Sequence, residues 1–187
     1  DFARAGRNLA IALPGNFELN TDAAIQSLKM GLLPIAGLAG KAGATYLSPR
    51  EPEFRLDFLT PRHRGGDAPF EHAQLGVVLQ QLKFMEFALE NIQQAMLFSA
   101  GKTVVVSLPH PARYALHKLI VYGERKGAFA AKSNKDLVQA GLLLTRLKET
   151  RSWEVDEAWT DLIDRGKGWA TRVSRGRKAL ATAFPEL

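Results

Sequence analysis

Phe54, Leu56 and Phe58 alternate with Glu53, Arg55, Asp57 and Leu59. A period of two predicts a strand with one buried face, and it places Asp57 away from the phenylalanines, beside Arg55. Ala44 to Leu47 reads as a second strand, ended by Ser48-Pro49, and Leu75 to Leu82 as a third. Asp1-Phe2-Ala3 reads as the end of another. Ile92 to Phe98 and Thr103 to Leu108 flank Ser99-Ala100-Gly101-Lys102, a hairpin signal, although Gln93, Gln94, Ala95 and Met96 are also good helix formers. Thr21 suits the N-cap of a short helix running to about Met30. Leu32 to Gly43, rich in glycine and containing Pro34, reads as irregular.

Beyond residue 108 the period changes. Pro109 and Pro111 stop the strand and open a helix, because proline is tolerated in a first turn. Ala112, Ala115, Leu116, Leu119 and Ile120 make one apolar stripe, while Tyr114, Lys118, Val121 and Arg125 lie on another face. This helix is expected to end between Gly123 and Gly127. Ser133 and Asp136 have capping-box spacing ahead of a stripe of Leu137, Ala140, Gly141, Leu144 and Leu147. Ser152 suits the cap of a third helix, with Val155, Ala158, Trp159, Leu162 and Ile163 on one face. Gly166-Lys167-Gly168 separates it from a last helix, about Trp169 to Phe184.

The expected architecture is α+β: a mixed sheet in residues 1–108, followed by a bundle of roughly four helices in residues 109–187. The 187 residues suit one domain or two small ones. The net charge of +6 is uneven: residues 1–100 hold 9 basic and 10 acidic side chains, and residues 101–187 hold 16 and 9. From Arg165 to Lys178 six residues are basic and none is acidic. That imbalance directs attention to phosphates or an acidic partner for the C-terminal helices; the competing reading is a solvated basic surface. No stretch of about 18 apolar residues exists, so no membrane partner is expected. The absence of cysteine removes disulfides, thiolate metal sites and cysteine nucleophiles. It accords with a cytoplasmic location.

No P-loop and no nucleophile elbow is present. His63, His72 and His110 lack ligand spacing, and His117 reads as a partly buried, hydrogen-bonded residue. Trp153, Trp159 and Trp169 read as packing residues. The remaining chemistry is in carboxylates and lysines. Carboxylates on rigid strands suit Mg²⁺ held for phosphoryl or nucleotidyl transfer. Lys118 and Lys135 could meet phosphate as point charges, and a lysine in the first turn, as Lys135 is expected to be, opposes the helix dipole. Asp136 could cap its helix or face a cleft.

Three segments together resemble the nucleotidyltransferase-fold family distantly related to DNA polymerase β and to the bacterial minimal nucleotidyltransferases. These are Arg55-Leu56-Asp57-Phe58-Leu59-Thr60, the helix Pro111-Ala112-Arg113-Tyr114-Ala115-Leu116-His117-Lys118-Leu119-Ile120, and Lys132-Ser133-Asn134-Lys135-Asp136-Leu137-Val138-Gln139-Ala140. The resemblance implies that Asp57 is the third metal carboxylate. It implies that Asp1 is the second aspartate of an Asp-x-Asp strand, and that Lys118, Lys135 and Asp136 help hold a nucleotide. The implied activity moves a nucleoside monophosphate from an NTP to an acceptor on protein, RNA or a small molecule, with two Mg²⁺ ions. The family's Gly-Ser motif and first aspartate are not found here, so a truncated start is the expectation. The alternatives are a nucleic-acid-binding module using the basic C-terminal helices, and a toxin–antitoxin-type interaction module on a degenerate fold.

Overall fold

The computed structural model describes residues 2–3, 20–36, 42–62, 66, 68–125 and 130–187. The chain forms two compact units, Asp1–Glu86 and Phe87–Leu187. Among the described residues no helix is long and apolar enough to cross a membrane.

The first unit is built on one mixed sheet. Its strands are β1 (Phe2–Ala3), β2 (Leu33–Ala36), β3 (Ala42–Leu47), β4 (Arg55–Pro61), β5 (Phe70–His72) and β6 (Val77–Leu82). The order is β2-β3-β4-β6-β5, with β1 also pairing β4. Strand β4 runs antiparallel to β3 but parallel to β1 and β6. The alternation predicted for β4 is realised at Leu56 and Phe58, which pack against Ile25, Leu32 and Tyr46, whereas Phe54, expected on the same buried face, precedes the strand and is exposed. The Tyr46 and Phe58 rings meet edge to face at 5.9 Å, a favoured aromatic geometry.

Three local expectations for this unit need correction. Strand β2 forms where irregular chain was expected. Among the described residues it pairs only with β3, with a register shift between Pro34 and Ala36, and an edge strand with a bulge tolerates a proline that an interior strand would reject. Helix α1 (Thr21–Ser27) is capped by Asn20, whose Oδ1 accepts the Ala23 N–H at 2.9 Å. Thr21 instead donates its hydroxyl to the Leu75 carbonyl. The helix stops before Met30 because Lys29 and Gly31 adopt positive φ, 53° and 67°.

The boundary between the units falls inside the short helix α2 (Met85–Leu89), so the hairpin of β7 (Gln93–Ser99) and β8 (Lys102–Leu108) groups in space with the helices. The hairpin prevails over the helical alternative. Asn91 has a φ of 54°, Gly101 supplies the turn at 78°, and seven residue pairs are in register from Gln93↔Leu108 to Ser99↔Lys102.

Four helices follow: α3 (Pro111–Glu124), α4 (Ala130–Thr150), α5 (Ser152–Asp164) and α6 (Lys167–Ala183). The α3 stripe is fully buried, with Ala112, Ala115, Leu116, Leu119 and Ile120 at most 2 % exposed. Leu137, Ala140, Leu144 and Leu147 of α4 are buried as the pattern predicted. Helix α4 starts at Ala130, so Ser133 and Asp136 lie inside it and form no capping box. Ser152 is likewise the first helical residue rather than the cap; Arg151 precedes it and makes no side-chain cap bond. Gly166, at φ 113°, makes the break before α6 alone, and Lys167 and Gly168 are already helical. Trp153 is exposed rather than packed.

Helices α3 and α6 touch through their backbones at two glycines. A Cβ on Gly176 would overlap the Leu119 carbonyl, and one on Gly123 would overlap the Arg172 carbonyl. Neither obstacle is a side chain that could swing aside, so any larger residue must push the helices apart. Gly176→Ala should therefore cost about 1–3 kcal/mol, read as a lower urea midpoint. Gly168→Ala, whose Cβ would meet only the tip of the Arg172 side chain at 3.3 Å, should move the urea midpoint far less than Gly176→Ala does.

Candidate functional site

Asp57 is on the polar face of β4, one residue from Leu56 and one from Phe58, both of which point into the core. Its cross-strand partner in β3 is Thr45. Thr45 Oγ1 donates to Asp57 Oδ1 at 2.6 Å, and Arg55 Nε lies 3.1 Å from Asp57 Oδ2. The Asp57 side chain is 15 % exposed and that of Arg55 is 58 % exposed. The carboxylate is thus fixed by a short bond to a neighbouring strand and screened by a long, exposed cation. Each of its oxygens keeps a lone pair beyond the bond it makes.

This geometry fits a hard cation. Mg²⁺ is typically held by one or two carboxylates with waters and substrate phosphates completing its octahedron. Among the described residues no group of three or more His, Asp or Glu side chains converges on a metal position. Asp1 lies outside the described residues. The strand that follows it, β1, runs parallel to β4, with Phe2 opposite Phe58 and Ala3 opposite Leu59.

Behind Asp57, on the core face of β3, Tyr46 is 2 % exposed and hydrogen-bonds Asp22. Burial pushes its phenol up from 10.0 to about 12, and the Asp22 charge and hydrogen bond push the same way.

The other three candidates belong to the second unit. Asp136 is buried, its Oδ1 3.1 Å from Lys118 Nζ and its Oδ2 bonded to Arg125. Lys118 also rests 5.0 Å from the centre of the Tyr114 ring. The structure thus brings Lys118 and Asp136 together and adds Arg125, one carboxylate between two cations. Lys135 is exposed. Thr45 and Arg125 enter the candidate sites only through the structure. Both had a sequence signal: Thr45 alternates with Tyr46, and Arg125 lies two helical turns beyond Lys118 on the same face.

A second charge cluster is structural. Arg113 is buried and bonds Glu90 at 3.0 Å and Asp161 at 2.6 Å, with its guanidinium 4.8 Å from the centre of the Phe87 ring. Arg165 bonds the same two acids and reaches the rings of Phe87 and Trp169. Burial would raise the Asp161 carboxyl, but hydrogen bonds from Arg165 and Arg113 prevail and hold it below its ordinary value.

A family model described as Nucleotidyltransferase matches residues 1–164. The chain belongs to that nucleotidyltransferase family. No curated protein and no solved structure matches it. The match takes in Asp57, Lys118, Lys135 and Asp136 and ends before α6. The α+β architecture, a mixed sheet followed by C-terminal helices, is consistent with a nucleotidyltransferase fold.

Two tests follow from these environments. Asp136→Ala leaves Lys118 and Arg125 without their shared counter-charge and should cost about 3 kcal/mol, measured by urea denaturation. Tyr46 is disfavoured as the anion. Its stabilising contribution is therefore complete below pH 10, its ordinary value, and is lost as the pH rises through about 12. Ultraviolet titration should show a late tyrosine that disappears in Tyr46→Phe.

Proposed function

We propose that this chain catalyses Mg²⁺-dependent transfer of a nucleoside monophosphate from an NTP to an acceptor hydroxyl, with Asp57 and Asp1 as the metal-binding carboxylates. The observation that carries the reading is Asp57, held by Thr45 on the polar face of β4 in a chain of the nucleotidyltransferase family. The parallel pairing of β1 with β4 supports Asp1 as its companion, because Asp1 directly precedes that strand in the sequence.

In the reaction the acceptor oxygen attacks the α-phosphorus, the bond to the β-phosphate bridging oxygen breaks, and pyrophosphate leaves. The acceptor hydroxyl loses its proton. Bound Mg²⁺ would neutralise charge on the phosphates and hold the attacking and leaving oxygens in line. Asp57 supplies hard anionic oxygen at a place set by two strands. Thr45 keeps that carboxylate from turning, a role that matters because outer-shell partners orient metal ligands. Within the second unit, Lys118 and Lys135 are proposed as phosphate contacts. Asp136 would then position Lys118 and carry no contact of its own with the nucleotide.

Labelled NTPs supplied with Mg²⁺ test the reading, with transfer and pyrophosphate release as readouts. Asp57→Asn should abolish both while leaving the melting temperature within a few degrees. Thr45→Val should lower kcat about tenfold with little change in the KM for NTP. An Asp57→Asn protein as active as the wild type would overturn the assignment.

A further inference from the structure

Six cations lie between Arg165, just before helix α6, and Lys178, and the fold uses only some of them. Arg165 is paired with Glu90 and Asp161, and Arg172 with Glu124. Arg177 stacks 5.3 Å from the centre of the Trp159 ring. Lys167 and Arg175 make no ion pair among the described residues, and neither does Lys178. All three are exposed. Lys167, Thr171, Arg175 and Lys178 recur at helical spacing on one face. The opposite face, with Val173, Gly176 and Leu180, is buried. At a rise of 1.5 Å per residue, the stripe from Lys167 to Lys178 is about 16 Å long.

The upper part of this stripe borders an open groove of about 850 Å³ between the end of α3 and the start of α6. Arg125, Lys167, Thr171 and Arg175 line it, and Arg172 and Glu124 face it as a neutral pair. Among the described residues Arg125 shares a single carboxylate, Asp136, with Lys118, so that trio keeps a net positive charge. The groove therefore combines uncompensated cations, a hydroxyl and an N-terminal helix end.

We propose that this groove and the stripe that continues it bind the phosphodiester backbone of a nucleic-acid strand. A line of separated cations about 16 Å long matches successive phosphates along a strand, whereas a single nucleotide would call for cations converging on one point. The site goes beyond the transfer reaction. It stands whether or not Asp57 binds metal, and its principal residues lie past the span the family model matches.

The experiment is fluorescence anisotropy with a labelled 20-nucleotide single-stranded RNA at several salt concentrations. Wild-type protein should bind with a steep salt dependence. Lys167→Ala/Arg175→Ala should weaken binding about tenfold or more, and should flatten the slope of log K against log salt by about 1.4, for two lost contacts at about 0.7 each. Both positions are exposed and helical, so the melting temperature should hold. Lys102→Ala/Arg146→Ala, which removes equal charge elsewhere in the unit, should bind as the wild type does, and so should Asp57→Asn. No binding at low salt, equal loss in the control variant or in Asp57→Asn, or displacement of the RNA by stoichiometric ATP would overturn the proposal.

Discussion

The helical unit depends on one close approach: α3 and α6 meet backbone to backbone where Gly123 and Gly176 offer no Cβ. That contact leaves no room for intervening side chains. It lets Val173 and the apolar stripe of α3 close into a nearly dry core. It also sets Arg172 beside Glu124 at the groove rim. Interiors packed to crystal-like density do not absorb an extra methyl group, so the position of the basic face of α6 follows from two hydrogens where other residues carry carbon.

In the first unit the controlling constraint is the alternation of β4. Leu56 and Phe58 enter the core, and the residue between them has to face the other way. Asp57 therefore stands on the polar face whatever else the chain does, and Thr45 across the sheet turns exposure into a fixed orientation. A carboxylate proposed to hold a metal has to be rigidly placed, and a paired strand places it more accurately than a loop.

Charge follows a consistent pattern in the second unit. Where cations are buried or half-buried, the fold gives them partners: Arg113 has two carboxylates, and Asp136 serves Lys118 and Arg125 together. Desolvating an unpaired charge costs several kcal/mol, so burial and pairing go together. Where a cation reaches water, as at Lys167 and Arg175, no such demand exists and it can remain open to a ligand.

Much of this was legible in the linear chain, because periodicity is a local property. The β4 face at Leu56 and Phe58 and the α3 and α4 stripes follow from side-chain spacing, and so does the position of Asp57 on a polar face; the β7–β8 hairpin was signalled by its turn residues, with a helix left open for its first strand. What spacing could not reveal were partners distant in sequence. Asn20 took the cap from Thr21 because Leu75 claimed the Thr21 hydroxyl. Asp136 had the spacing of a cap, yet lies inside α4 because the helix begins earlier and two cations from α3 and its end enclose the carboxylate. The six cations near α6 were countable from the sequence, but only tertiary packing decided which are neutralised. Ion pairs form between side chains that folding brings within about 4 Å, and the order of residues along the chain does not encode that proximity locally.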